Sequence, residues 1–339
     1  MTSREMVYRT LEMKKPPRAP RDLWILSWAY IYHKDEAEEI HRRFPSDMTV
    51  PPDPLLEYPP ASGNAYEPGV STDAWGCKFV NIQRGVHGEV KEPLVCEDDW
   101  SDAGKIRFPK ELLSVNRDKV NRFCASSDKF IFSECVPRPF EQLQFMRGTE
   151  RFFYDIMDQP PKMMSFIATM HEFYCELLSK WAKTDVDSLN MMDDWGSQNA
   201  LLINPQIWRQ VFGPMYKDYI DIAHSAGKKA FMHSDGHILE IYPDLIGMGL
   251  DAINSQIFCM GIDNLKQYAG KITFWGEMDR QHLLPHGTPD EINDAVAKLK
   301  ENLWTDGGCI AQLEFSAGTN PANVALTFEA WDRITECGE

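Results

Sequence analysis

The chain has no apolar run near the ~20 residues needed to cross a bilayer. Its first residues, Met1-Thr2-Ser3-Arg4-Glu5-Met6, lack the apolar stretch of a secretory signal. A cytoplasmic protein with no membrane partner is therefore expected. Its eight cysteines, at 77, 96, 124, 135, 175, 259, 309 and 337, form no C-x-x-C pair. Without a secretory segment they are expected to be buried apolar thiols rather than a disulfide framework, with Cys259 and Cys309 standing nearest to predicted strand ends. Basic residues are outnumbered, with 35 Lys and Arg against 51 Asp and Glu and a formal net charge of −16. That argues against nucleic acid as a partner and leaves room only for a local basic patch that binds a carboxylate or phosphate. There is no glycine-rich phosphate loop, no G-x-S-x-G elbow, no internal repeat, no charge block and no clear linker. The 339 residues are read as one domain, 1–339, long enough for a well-buried core.

What is present is alternation. In the C-terminal half, short apolar segments at 187–194, 228–232, 250–254, 272–275 and 309–315 alternate with helical patterns at 204–225, 238–248, 264–269, 288–304 and 321–334. Pro205 opens one helix and Gly227 follows its end. Thr288 with Glu291 forms a capping box at the start of another. Strand–helix alternation that runs to the C-terminus predicts an α/β fold, a (β/α)8 barrel rather than an open sheet. The N-terminal half is less regular. A capped helix is expected over 2–13, a first strand over 22–28, a strand over 129–135, and helices over 141–157 and 161–183. Residues 45–70 read as loop, and 74–80 with 89–95 as a β-hairpin, so 45–100 is expected to be a loop and hairpin insertion.

The residues able to do chemistry gather where predicted strands end, which in a barrel is one rim. Phe231-Met232-His233-Ser234-Asp235-Gly236-His237 carries two imidazoles and a carboxylate, and the His-x-Asp spacing puts His233 and Asp235 on one side of a strand. Such a pair suits a metal such as zinc or an acid/base role; the bland alternative is a His hydrogen-bonded in a polar barrel mouth. His237 opens the next segment and can simply cap it. Asp193-Asp194 end the preceding strand, and adjacent carboxylates point to opposite faces, so one is expected in the mouth, to act as base or orient a histidine, unless both cap the helix at Asn204. Glu277 and Glu314 end two further strands; each is a ligand or base, or pairs with Arg280 or a lysine. Asn254, Gln256 and Gln198 add neutral hydrogen-bonding groups.

These motifs resemble the uroporphyrinogen decarboxylase superfamily, and within it the corrinoid-dependent methyltransferase branch. The resemblance is carried by Thr2-Ser3-Arg4-Glu5-Met6-Val7, Asp73-Ala74-Trp75-Gly76-Cys77, Asp194-Trp195-Gly196-Ser197-Gln198, His233-Ser234-Asp235-Gly236, and Trp275-Gly276-Glu277-Met278-Asp279-Arg280-Gln281 with Gly287-Thr288-Pro289. It implies a single barrel with an N-terminal helix and a hairpin insertion. It also implies zinc held by a His-x-Cys pair and a later Cys, and methyl exchange with a corrinoid protein. Here His233 matches the His, Asp235 stands where the Cys would be, and the later Cys falls near Glu314, with Cys309 five positions earlier. A His233, Asp235, Glu314 set is harder than the family's and suits an O-methyl compound better than a thiol.

The reading that results is a metal-assisted methyltransferase. Asp194 and Glu277 are catalytic, and Gln198, Asn254, Gln256, Trp24 and Trp28 are placed against substrate. A homodimer is left open. The alternative is a metal-independent lyase of the decarboxylase type. The stretch 21–30, which in that branch carries an arginine cluster for propionates, is aromatic here and has none. A third reading is a non-catalytic binding protein.

Overall fold

The computed structural model describes residues 1–335. Eleven strands occur among them: β1 (Arg21–Ile25), β2 (Met48–Thr49), β3 (Gly69–Thr72), β4 (Lys78–Asn81), β5 (Glu89–Glu92), β6 (Phe130–Ile131), β7 (Ser188–Met192), β8 (Lys229–Ser234), β9 (Ala252–Ser255), β10 (Thr273–Trp275) and β11 (Cys309–Phe315). Six of them form a parallel sheet in the order β1-β11-β10-β9-β8-β7. Its two edges are joined through the short parallel pair β2-β6. Phe132, just after β6, bridges Ser188 at the start of β7, and the Asp47 N–H donates to the Arg21 carbonyl of β1 at 2.8 Å. Eight parallel strands thus surround one axis, with helices outside, as a (β/α)8 barrel.

The barrel is filled, not hollow. Met48, Phe130, Phe132, Phe231, Ala252, Trp275 and Ile310 form an inner cluster, with Trp24 packed on it. Phe132, Phe231 and Trp275 lie with ring centroids 5.1–5.3 Å apart. Asp22 is buried beside them and accepts from the indole N–H of both Trp24 (3.0 Å) and Trp275 (2.9 Å). Burial raises its carboxyl above the ordinary range, while these donors pull it back.

The helix Ser3–Leu11 begins in a full capping box between Thr2 and Glu5. It lies across the end of the barrel where the strands start. Val7 joins the inner cluster, the Tyr8 hydroxyl donates to Asp187 (3.0 Å) just before β7, and the Gly308 N–H donates to the Thr10 carbonyl (2.9 Å) just before β11. The opposite end is left as the mouth.

Some boundaries differ from expectation. The first strand stops at Ile25, and Ser27–Tyr32 is helical. The loop expected over 45–70 contains β2, hidden by its shortness and by Pro45, Pro51 and Pro52 around it. It also contains the start of β3, the third strand of an antiparallel β3-β4-β5 sheet of which the expected hairpin is only part. The helix expected over 141–157 is two helices, Pro139–Arg147 and Thr149–Asp158. Gly148 between them has φ +84°, which a non-glycine residue resists. The helix expected over 204–225 is continuous but opens through a π turn at Trp208–Phe212.

The cysteines are less uniform than expected. Cys77, Cys124, Cys135 and Cys309 are buried, Cys175 and Cys259 are half-buried, and Cys96 is exposed. Cys337 lies outside the described residues. No helix among the described residues is long and apolar enough to cross a membrane.

Candidate active site

Asp194, His233, Asp235, Glu277 and Glu314 are carried to the mouth by strand ends. β8 runs through His233 and Ser234, so His233 is a strand residue, beside Met192 on β7 and Asn254 on β9. The His233 side chain is nearly buried, with its ring 5.2 Å from that of Trp24. Its two nitrogens have different neighbours. Nδ1 lies 2.6 Å from Asn254 Oδ1. Asn254 is itself oriented, because its amide N–H donates to the Trp275 carbonyl. Asn254 Oδ1 is therefore an acceptor, Nδ1 of His233 donates to it, and Nε2 is turned to the mouth.

Two carboxylates face that nitrogen. Asp194 Oδ1 is 3.5 Å away and Asp235 Oδ1 is 3.6 Å away. Asp235 Oδ1 is buried and has no hydrogen-bond partner. Asp194 accepts from the Asp235 N–H at 3.0 Å. Burial alone would lower the His233 pKa, but the hydrogen bond to Asp194 and the charges of Asp235, Asp194 and Glu277 outweigh it and raise it to about 9. Burial likewise pushes Asp194 upward, and His233 overcomes this to hold it below its ordinary value. One atom from each of Asp194, His233 and Asp235 lies within 4.8 Å of the others.

The loops that carry these carboxylates touch backbone to backbone. Gly196 and Gly236 cross so closely that a Cβ on Gly236 would lie 2.1 Å from the Gly196 carbonyl oxygen, and one on Gly196 would lie 2.3 Å from the His237 nitrogen. Two hydrogen bonds stitch the crossing, Gly196 N–H to Asp235 O (3.1 Å) and His237 N–H to Ser197 O (2.7 Å).

Arg280 forms the other half of the site. Its guanidinium donates to Asp235 and to Glu314 (3.0 Å) and stands 3.7 Å from Glu277. Asp235 is therefore shared, with one oxygen on Arg280 and the other facing His233. Glu314 lies with Arg280 and is not among the three groups that converge on His233. Glu277 is 2 % exposed, and neither of its oxygens has a hydrogen-bond partner. Burial, reinforced by Asp235 and opposed by Arg280, raises its pKa to about 8. A cavity of about 290 Å³ opens here, lined among others by Glu277, Arg280, Gln198, Gln256 and Cys259.

Of the remaining expected residues, Gln198 and Gln256 line this cavity, and Gln281 donates to Gln198 at 2.9 Å. Trp24 walls His233. Trp28 sits on the helix after β1, its ring packed on Tyr32 and His33. Asn254 is fully buried behind His233. Cys309 packs in the core, while its neighbour Ile310 faces the barrel interior. Asp193 does not cap the helix at Asn204, which caps itself through its own side chain. Asp193 instead accepts from the Phe140 and Glu141 N–H groups (2.9 and 2.8 Å) at the start of the helix Pro139–Arg147, and from the Tyr216 hydroxyl (2.6 Å).

Two residues of the site escaped sequence reasoning. Arg280 figured only as a pairing partner, although its place three residues after Glu277 on one loop was the available sign. Glu141 comes from that same helix and faces Asp194. Burial and the Asp194 charge, opposed by Arg138, raise its pKa to about 7, and one of its oxygens is buried with no hydrogen-bond partner, 3.7 Å from Arg138. Nothing in its local sequence distinguishes it from a helix-surface glutamate.

The sequence pattern of the family described as Uroporphyrinogen decarboxylase (URO-D) matches residues 70–334. The chain belongs to the uroporphyrinogen decarboxylase family. The family's sequence pattern covers all the mouth residues above except Trp24 and Trp28. Among solved structures, this family member is similar to a methyltransferase from Methanosarcina mazei, at 14 % identity with a TM-score of 0.63, covering 98 % of this chain and 99 % of that one. At that identity the likeness establishes the fold. A xylanase 10B from Thermotoga petrophila RKU-1 aligns over 99 % of this chain and 98 % of its own at 11 % identity, with a TM-score of 0.42. No curated protein matches the chain.

Proposed function

We propose that this protein is a metal-assisted methyltransferase. It takes a methyl group from a small O-methyl compound and passes it to a corrinoid held by a partner protein. The observation that carries this reading is the convergence of Asp194, His233 and Asp235, with His233 Nε2 and a partnerless Asp235 oxygen facing one point. Their separations of 3.5 and 3.6 Å match the edge of a tetrahedral zinc site with N and O ligands, about 3.4 Å. Once the proton on His233 Nε2 is displaced, these residues fit a zinc ion, which would act as a Lewis acid on the methylated heteroatom. One nitrogen and two carboxylate oxygens form a hard donor set, which favours oxygen over sulfur as that atom.

The chain's own residues supply the rest. Asn254 fixes the His233 ring and tautomer. Arg280 holds the far oxygen of Asp235 and so aims the near one. Glu277, with its pKa raised to about 8, is protonated at neutral pH and is the group able to donate a proton to the oxygen from which the methyl departs. Trp24 and the inner aromatic cluster form an apolar floor that keeps water from below. The methanogen methyltransferase of like fold supports the reaction class. The decarboxylase reading has less support, because Arg280 is already paired with the Asp235 and Glu314 carboxylates and Arg138, the other arginine near the site, stands 3.7 Å from Glu141.

The test uses purified protein, measured metal content and a reduced corrinoid whose methylation is followed by its absorbance. Methoxy compounds are offered in turn. Methylation that disappears together with bound metal in His233→Ala is expected. Glu277→Gln should keep the metal and lose about 10²–10⁴-fold in rate. Conversion of uroporphyrinogen with no corrinoid, at equal rate in wild type and His233→Ala, would replace this reading with the lyase.

A further inference from the structure

A second group of ligand-type side chains lies away from the mouth, between two outer helices. His171 and Cys175 are four residues apart on the helix Pro161–Ala182 and so share one face. Asp218 reaches them from the neighbouring helix Gly213–Ser225. His171 Nε2 lies 3.0 Å from Asp218 Oδ2, and Cys175 Sγ lies 3.7 Å from the same nitrogen and 3.6 Å from Nδ1. One ligand atom from each of the three lies within 4.8 Å of the others. A tetrahedral zinc-type ion with ordinary bond lengths spans about 3.6 Å between N and S ligands and about 3.4 Å between N and O. The distances from Nε2 are near these values, and Cys175 Sγ, which sits between the two ring nitrogens, must swing toward Nε2 to complete the set.

Two further features distinguish it from an ordinary surface His–Asp pair. The other ring nitrogen, His171 Nδ1, faces the Tyr219 hydroxyl at 3.3 Å, the kind of outer contact that fixes the tautomer of a ligating histidine. Cys175 and Asp218 also border an open hollow with Ser179, Asp221 and Ser225, which leaves the fourth coordination position to water.

We propose that His171, Cys175 and Asp218 form a surface binding site for a borderline-soft divalent cation of the zinc class, which clamps these two helices together. A thiolate, an imidazole and one carboxylate favour that class over magnesium or calcium. Binding displaces the thiol proton of Cys175 to solvent and leaves His171 neutral, with no change of oxidation state.

The test is titration of the metal-free full-length protein with Co2+. The wild type is expected to develop a thiolate-to-cobalt charge-transfer band. The band should persist in His233→Ala, vanish in Cys175→Ser, and appear only at a Co2+ concentration at least about ten-fold higher in Asp218→Asn. Asp218 is largely exposed, so this last variant folds even if the cysteine variant does not. Zn2+ should raise the thermal midpoint of wild type more than that of Asp218→Asn. No band in the wild type at saturating Co2+ overturns the proposal. So does a band that survives Cys175→Ser, which would assign the sulfur to Cys259 at the mouth, and so does unchanged affinity in Asp218→Asn.

Discussion

At the scale of the residue, the division of labour between neighbours matters more than the inventory of side chains. Asp193 and Asp194 are adjacent and chemically identical, yet one holds a helix and the other faces a histidine. Alternation along the chain is enough to anticipate that they part, but not which role each takes, because the donors that claim Asp193 come from residues 140, 141 and 216. Replacing Asp193 by Ala should leave two buried N–H groups and the Tyr216 hydroxyl without an acceptor. A loss of about 2–4 kcal/mol in denaturant unfolding is expected, whatever the state of the mouth. Asn254 links His233 to the Trp275 carbonyl. Asn254→Ala is expected to weaken metal binding about 10–100-fold, measured by competition with a chromophoric chelator, and to cost about 1–3 kcal/mol in unfolding because buried polar groups lose their partners. Glu314 and Arg280 carry the opposite lesson. A carboxylate at a strand end can be read from sequence, but whether it meets a cation already in the protein cannot, because that cation sits on another loop.

At the scale of the element, what could be read ahead follows the length of the signal. β11, with seven apolar or inward-facing residues, was expected over 309–315 and lies at Cys309–Phe315. The helix Pro289–Leu303 follows its Thr288–Glu291 box. β2 has two residues, too few for any periodicity, whereas β6, equally short, lies inside the strand expected over 129–135; both find partners in each other and in the six-stranded sheet on either side. The site follows the same rule. His233 and Asp235 were legible because their strand is well defined, whereas Glu141 was not, because a helix pattern does not say which turn reaches the mouth. The loops after β7 and β8 are the element on which the geometry of the metal candidates depends. Gly236→Ala places a methyl group inside the Gly196 carbonyl and asks for φ near +77°. A destabilisation of about 1–3 kcal/mol in chemical denaturation is expected, together with weaker metal binding, since the loops must separate.

At the scale of the whole molecule, the barrel is a set of strand ends facing one way, stoppered at the other by its own N-terminal helix. Val7 is fully buried in the inner cluster, so Val7→Asp puts an unpaired charge among Phe130, Phe231 and Ile310. Loss of cooperative thermal unfolding is expected, with binding of a hydrophobic dye at temperatures where the wild type binds none. The same stopper has a consequence for traffic. With that end closed by the helix, the methyl donor and the corrinoid protein of the proposed reaction would have to approach through the same opening. A corrinoid protein seated on the rim would then bar the demethylated product from leaving. Under that reading turnover becomes a matter of queueing, and an excess of acceptor protein is expected to slow the reaction.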